Sequence, residues 1–219
     1  MSSAAERREQ VLARIARAAR LGHREPADVQ LIAVSKGRTA DEIEALIDAG
    51  QRDFGENRMQ EALAKWPPLL GAHPDIRLHA IGRLQSNKAG EAMKLFDVIH
   101  SLDRISLLDA LAREAERSCR APSVYVQVNI GEEEQKGGCP IGETAALVDA
   151  VRASPLPLAG LMAIPPLGVE AAPYFALLAK LARRHDVIGL SIGMSGDFEA
   201  AVMLGATAVR VGTALFEDR

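Results

Sequence analysis

Residues 190–216 read LSIGMSGDFEAAVMLGATAVRVGTALF. The segment opens on a short apolar run, turns through Gly193-Met194-Ser195-Gly196, and continues with Asp197 and Glu199 at the head of a helix-like stretch. It then enters a second apolar run, TAVRVG, that ends on Gly212 and Thr213. Apolar runs without alternation are the signature of parallel strands covered on both faces, and a helix between two of them is a βαβ unit. The same rhythm extends back to Gln30: QLIAVS, RDFG, RLHAIG, DVIHS, SVYVQVNI, PLAGLMAI and VIGLSIG precede TAVRVG, giving eight runs. Their mean step of about 25 residues, with segments such as ADEIEALIDAG between them, predicts an α/β fold, a single closed (β/α)8 TIM barrel. A doubly wound open sheet is the rival.

Ahead of the first strand, Ser3 and Glu6 have the spacing of a capping box, and Val11, Leu12, Ile15 and Ala19 recur at helical spacing. An extra N-terminal helix from about Ala4 to Leu21 follows. Its other face carries Arg7, Arg8, Arg14, Arg17 and Arg20 with Glu6 and Glu9 interleaved, which reads as a solvated surface, a docking patch being the alternative. No stretch has the composition of a linker, so one domain over residues 1–219 is expected.

Composition narrows the class. A chain of 219 residues with 48% hydrophobic and 25% charged residues is globular in make-up, and surface scaling lets it bury about 70% of its unfolded surface. The net charge of −3 lacks the basic excess that nucleic acid requires, and Trp66, Tyr125 and Tyr174 are too scattered for a stacking platform. Cys119 and Cys139 form no CxxC and suit reduced thiols in a cytoplasmic protein. The opening MSSAAERREQ is charged where a signal peptide is apolar, and prolines break the longest uncharged stretch, Ala153 to Val169, so neither export nor a membrane span is expected. The histidines His23, His73, His79, His100 and His185 have no metal-site spacing.

In a barrel the chemistry sits where strands end. Lys36 closes LIAVSK, where desolvation or neighbouring positive charge would lower its pKa and free the amine to attack a carbonyl, and where a solvated loop lysine is the plainer reading. Ser195, Gly196, Gly212 and Thr213 lie in the loops after strands seven and eight, the usual phosphate-binding loops of such barrels; small residues in tight turns are the alternative. Arg210, inside the last strand, either pairs with an interior carboxylate such as Glu56 or Asp103 or serves a ligand. His79 and His100 are core histidines or groups at the barrel mouth. Cys139 is an ordinary loop thiol.

AVSKGRTADEI around Lys36, FGENRMQE from Phe54, IGRLQSNK from Ile81, HSLDR from His100, VNIGEEEQKGG ending at Gly138, GLMAIP from Gly160 and the segment from Leu190 to Phe216 occur here in order. With them the chain resembles the pyridoxal phosphate homeostasis protein family, single-barrel relatives of alanine racemase. The resemblance implies pyridoxal 5'-phosphate as cofactor, held as a Schiff base on Lys36. It implies a phosphate held by Ser195, Gly196, Gly212 and Thr213, Arg210 facing the pyridine nitrogen, and Asn57 and Met162 near the cofactor. Departures are Ala80, where an aromatic is common, Gly131 and Gly137, where serines are common, and Glu217, where the family has glycine. They leave the Schiff-base and phosphate positions intact and put the role of the Asn129 to Gly138 loop in doubt.

An arginine beside the pyridine nitrogen disfavours its protonation and weakens the ring as an electron sink. The chain ends at Arg219, so the second domain that supplies a racemase with its other base is not expected. Three functions remain in order: a cytoplasmic, monomeric protein that buffers pyridoxal phosphate or hands it to apoenzymes, without robust turnover; a pyridoxal phosphate enzyme such as an amino-acid racemase; and a cofactor-free Schiff-base aldolase.

Overall fold

The structure is a computed structural model that describes residues 2–217; the expected domain limits at Met1 and Arg219 lie outside them. Eight parallel strands close into a barrel in sequence order: β1 (Gln30–Val34), β2 (Asp53–Glu56), β3 (Arg77–Ala80), β4 (Val98–Leu102), β5 (Ser123–Gln127), β6 (Leu158–Met162), β7 (Leu190–Met194) and β8 (Ala208–Val211). Closure is made by β8 against β1, with Gln30 opposite Ala208 and Ile32 opposite Arg210. The open-sheet rival is excluded. The helices are α1 (Ala4–Leu21), α2 (Ala40–Asp48), α3 (Met59–Ala72), α4 (Ala89–Leu95), α5 (Ile105–Ser118), α6 (Thr144–Arg152), α7 (Ala172–Arg184), α8 (Phe198–Met203) and α9 (Thr213–Phe216).

Most strands are shorter than the apolar runs that predict them, and for three of them the structure shows where pairing stops. SVYVQVNI stops pairing at Gln127, after which the Asn129 amide donates to Cys139 O in the next loop. VIGLSIG starts at Leu190 because Ile188 is 90% exposed and Gly189 crosses directly over Ala159 and Gly160. RLHAIG ends at Ala80, since Gly82 must pass Asn57 so closely that a Cβ there would lie 2.0 Å from its carbonyl oxygen.

Helix α1 starts where expected, with both halves of the Ser3–Glu6 capping box present, and buries Val11, Ile15, Ala18 and Ala19. Its arginine face is not simply solvated. Arg7 donates to Leu215 O, Arg8 to Gln51 and Gly50 O, and Arg14 grips Glu199 at 2.9 Å. Arg7 and Arg14 tie α1 to the last strand-helix units and Arg8 ties it to the turn before β2, while Arg17 and Arg20 are exposed, so the face is docked within the chain in part and solvated in part. A second capping box, Thr39 with Glu42, starts α2 just after the loop that carries Lys36. No helix among the described residues is long and apolar enough to cross a membrane.

Candidate functional site

The loop 35–38 leaves β1 and is pinned from three sides. The buried Ser35 hydroxyl donates to Glu56 Oε1 at 2.7 Å, Lys65 Nζ donates to Ser35 O at 2.8 Å, and the Gly37 amide donates to Glu61. Gly37 holds φ at +68°, a conformation that favours glycine. Glu56 Oε1 also accepts from Trp66 Nε1 at 2.9 Å and pairs with Lys65 at 2.7 Å. Between these anchors the Lys36 side chain is exposed, and its amine has no hydrogen-bond or ion-pair partner among the described residues. Of the two readings open for it, the solvated loop lysine is the one observed, since the strand ends at Val34, two residues before it. The result is a fixed backbone carrying a free amine.

On the adjoining side of the mouth, since β8 pairs with β1, the turns after β7 and β8 meet. Ser195 Oγ accepts the Gly212 amide at 3.1 Å, and Asp197 Oδ1 caps the Met194 amide at 2.6 Å. Gly193, at φ +92°, makes the turn possible; a Cβ there would strike Ala201 and Phe198. The amides of Ser195, Gly196 and Thr213 donate to nothing among the described residues, and a Cβ at Gly196 would meet no protein atom within 4 Å. Two turns distant in sequence thus present a cluster of free donors beside open space.

Lys36, Asn57, Ser195, Gly196, Arg210, Gly212 and Thr213 all line one cavity of about 500 Å³ at the C-terminal end of the barrel. Met162 does not: it is fully buried on β6, packed with Val98 and Tyr125 below the cavity floor. Ile164 and Met194 provide apolar lining instead, and Ile81, Gly82, Gln127 and Gly137 complete the wall. Most of these follow strand ends, so the barrel rule could have nominated them. Arg38 and Glu217, paired with each other across the rim, have no such signal.

Arg210 forms the floor. Its Nη1 donates to Ser191 O and Ser191 Oγ, both at 2.6 Å, and Nη2 donates to Ala163 O at 3.1 Å. It pairs with neither carboxylate the sequence offered: Glu56 is taken by Lys65 and Asp103 by Arg104. Burial lowers its pKa to about 10, with Asp197 opposing the shift, so the guanidinium remains charged at neutral pH.

Beneath it runs a chain of hydrogen bonds through the barrel interior. Ser191 Oγ lies 2.8 Å from His100 Nδ1, His100 Nε2 lies 2.9 Å from His79 Nδ1, and His79 Nε2 lies 3.1 Å from Asp53 Oδ1. Strands β4 and β7 are not neighbours, so His100 and Ser191 meet only across the lumen. Burial lowers the pKa of both histidines, and His79 and Arg210 push His100 further down. With neutral rings the direction is determined. His79 must donate to the carboxylate, His100 to His79, and Ser191 to His100, which leaves the serine oxygen to accept from Arg210. Tyr125 stacks on His100 with ring centroids 4.4 Å apart. Both histidines are therefore core groups and not groups of the mouth.

The other candidates fall away. Neither Tyr125 nor Tyr174 lines the cavity, and Cys139 is buried with its thiol pKa raised to about 11. No group of three or more potential metal ligands occurs among the described residues.

A family model described as alanine racemase, N-terminal domain, matches residues 9–219. The pyridoxal phosphate homeostasis protein of Pseudomonas aeruginosa is 42% identical over 225 residues, covering all of this chain and 97% of that protein. That of Escherichia coli K12 is 38% identical, covering all of this chain and 98% of that protein. Among solved structures, PipY of Synechococcus elongatus with PLP bound superposes with a TM-score of 0.84 at 38% identity, covering 97% of this chain and 99% of PipY.

Proposed function

Since the chain belongs to the pyridoxal phosphate homeostasis protein family, we propose that it binds pyridoxal 5'-phosphate in the cavity at its barrel mouth, with Lys36 as the Schiff-base lysine. In this reading it is a cytoplasmic monomer that buffers the cofactor or delivers it to apoenzymes. The observation that carries the reading is the convergence in one cavity of a free lysine amine, three unpaired backbone amides and a buried arginine. That donor set fits the three ends of the cofactor. When bound, the group supplies an aldehyde that condenses with an amine and releases water.

The chain's own residues then have distinct tasks. Lys36 supplies the amine from a backbone held by Glu56, Lys65 and Glu61. Ser195, Gly196 and Thr213 receive the phosphate on backbone amides, with Ser195 also locking the Gly212 turn. Arg210, fixed by Ser191 and Ala163, would present its remaining N–H groups to the pyridine nitrogen. A permanently charged donor there keeps that nitrogen unprotonated. Asn57, which lines the cavity, would border the bound group, and Met162 packs beneath with Val98 and Tyr125.

Retention without turnover is favoured over racemisation. Exchange of a proton between opposite faces of a substrate needs two placed bases. Besides Lys36, the only carboxylate, histidine, tyrosine or cysteine among the described lining residues is Glu217, which Arg38 engages. The experiment pairs two assays on the loaded protein: deuterium exchange at Cα across a panel of amino acids, and reactivation of a pyridoxal phosphate apoenzyme. The expected result is no saturable exchange together with reactivation. Rapid exchange that depends on Lys36 would replace this reading with an enzymatic one.

A further inference from the structure

We propose that a second cavity, next to the first and bounded by Arg58, Arg83, Lys88 and Arg104, is a binding site for a phosphate-monoester dianion. The cavity holds about 760 Å³, larger than the one containing Lys36, and shares Asn57 and Arg83 with it. Four cations line it and no carboxylate does.

The charge is only half compensated. Lys88 pairs with Glu91 at 2.7 Å and Arg104 with Asp103 at 2.5 Å. Arg58 and Arg83 are exposed and have no hydrogen bond or ion pair among the described residues. Neither guanidinium is engaged in an ion pair among the described residues, although Glu61 lies near enough to Arg58 to feel its charge, and the planar forks match phosphate oxygens in geometry. Arg104 is a pre-set third donor, since Leu84 O at 2.9 Å and Ser86 Oγ at 3.2 Å fix its guanidinium.

The arrangement is unfavourable when the cavity is empty. Arg58 and Arg104 occupy the N-cap positions of α3 and α5 and neither gives a side-chain cap; α3 has Glu61 in its first turn, whereas α5 has no acidic residue there. A cation at that end of a helix opposes the macrodipole, and Ser, Thr, Asn or Asp would stabilise both helices. Two long helices that carry arginine where a capping group belongs, facing a polar cavity with net positive charge, are stabilised by an anion in that cavity. The site adjoins that of Lys36, since Arg83 borders both cavities and Arg58 lines a smaller pocket with Lys36, whereas Lys88 and Arg104 border the second cavity and not the first.

The test is calorimetric titration and thermal unfolding of the full chain with inorganic phosphate and, separately, glycerol 3-phosphate. Chloride holds the ionic strength constant, and each titration is run with and without saturating pyridoxal 5'-phosphate. One saturable phosphate site per chain is expected to persist when pyridoxal 5'-phosphate is present. Arg58→Gln should weaken it about tenfold, as loss of one charge-assisted contact does, while leaving the ligand-free melting temperature equal or higher. The Arg58→Gln/Arg83→Gln pair should abolish it and Ser195→Ala should leave it intact. Tighter binding of glycerol 3-phosphate would identify an esterified small molecule as the occupant, and equal binding the free anion. The proposal is overturned by the absence of saturable binding. It is equally overturned if Ser195→Ala removes the binding and Arg58→Gln does not, which would place the anion in the first cavity. Binding of a polyglutamate peptide without any phosphate binding would assign the surface to an acidic protein segment and also overturn it.

Discussion

Mild acid should destabilise this protein through its interior histidines before its carboxylates matter. His79 and His100 are 1% and 0% exposed, and burial lowers the pKa of each. Asp53 and Asp97 pull His79 back toward protonation, whereas Arg77 opposes it; His100 faces His79, Arg210 and the stacked Tyr125 ring. In the unfolded chain each imidazole titrates near pH 6.5. As the pH falls through that value the unfolded state takes up protons that the folded state excludes, so stability is lost. The slope is about 1.4 kcal/mol per pH unit for each histidine. Between pH 7.5 and 5.5 the pair accounts for a loss of up to about 2.7 kcal/mol. For a chain of this size that lowers the melting temperature by roughly 5–11 °C. Glu42 and Glu61 also have folded pKa values below the ordinary one; the stability they give is lost only as the pH falls below about 4.5, outside this window. Melting followed by circular dichroism at half-unit pH steps reads the slope. His79→Gln and His100→Gln should each flatten it by about half, whatever they do to stability at pH 7.5. A flat profile from pH 7.5 to 5.5, or one the variants leave unchanged, would refute the neutral hydrogen-bonded chain.

Two further outcomes follow from the mouth of the barrel. Gly196→Val adds a side chain where a Cβ meets no protein atom, so melting should shift by less than about 1 kcal/mol equivalent; equilibrium dialysis should show pyridoxal 5'-phosphate losing most of its affinity advantage over pyridoxal. Lys65→Ala removes the cation from Glu56, whose side chain is fully buried, and should cost about 3–5 kcal/mol in denaturant unfolding; Lys65→Arg should recover part of it.

The barrel was legible because parallel strands covered on both faces leave contiguous apolar runs, and eight of them at even spacing leave little choice of topology. The phosphate-type turns were legible for a similar reason: Ser195, Gly196, Gly212 and Thr213 are small residues in the two loops that barrels use. What the sequence withheld depends on barrel geometry. His79, His100, Ser191 and Arg210 lie on four strands, and no periodicity says that they touch; only the stagger of a closed sheet brings β4 and β7 side chains together across the lumen. The arginines of α1 looked solvated because their partners, Glu199 and Leu215 O, are about 200 residues away. Met162 sits at a strand end, as a lining residue should, yet its side chain turns into the floor, and Ile164 two residues on takes the exposed position. Lys36 follows the end of β1 by two residues and is exposed, the plainer of the two readings that the sequence left open.

The most direct test is to saturate the purified protein with pyridoxal 5'-phosphate, reduce it with borohydride, and map the added mass by peptide sequencing in a mass spectrometer. The account requires a visible absorption band that borohydride bleaches and a label confined to the peptide that contains Lys36. A protein that stays colourless with excess pyridoxal 5'-phosphate, or a label on another lysine with Lys36 unmodified, would contradict it.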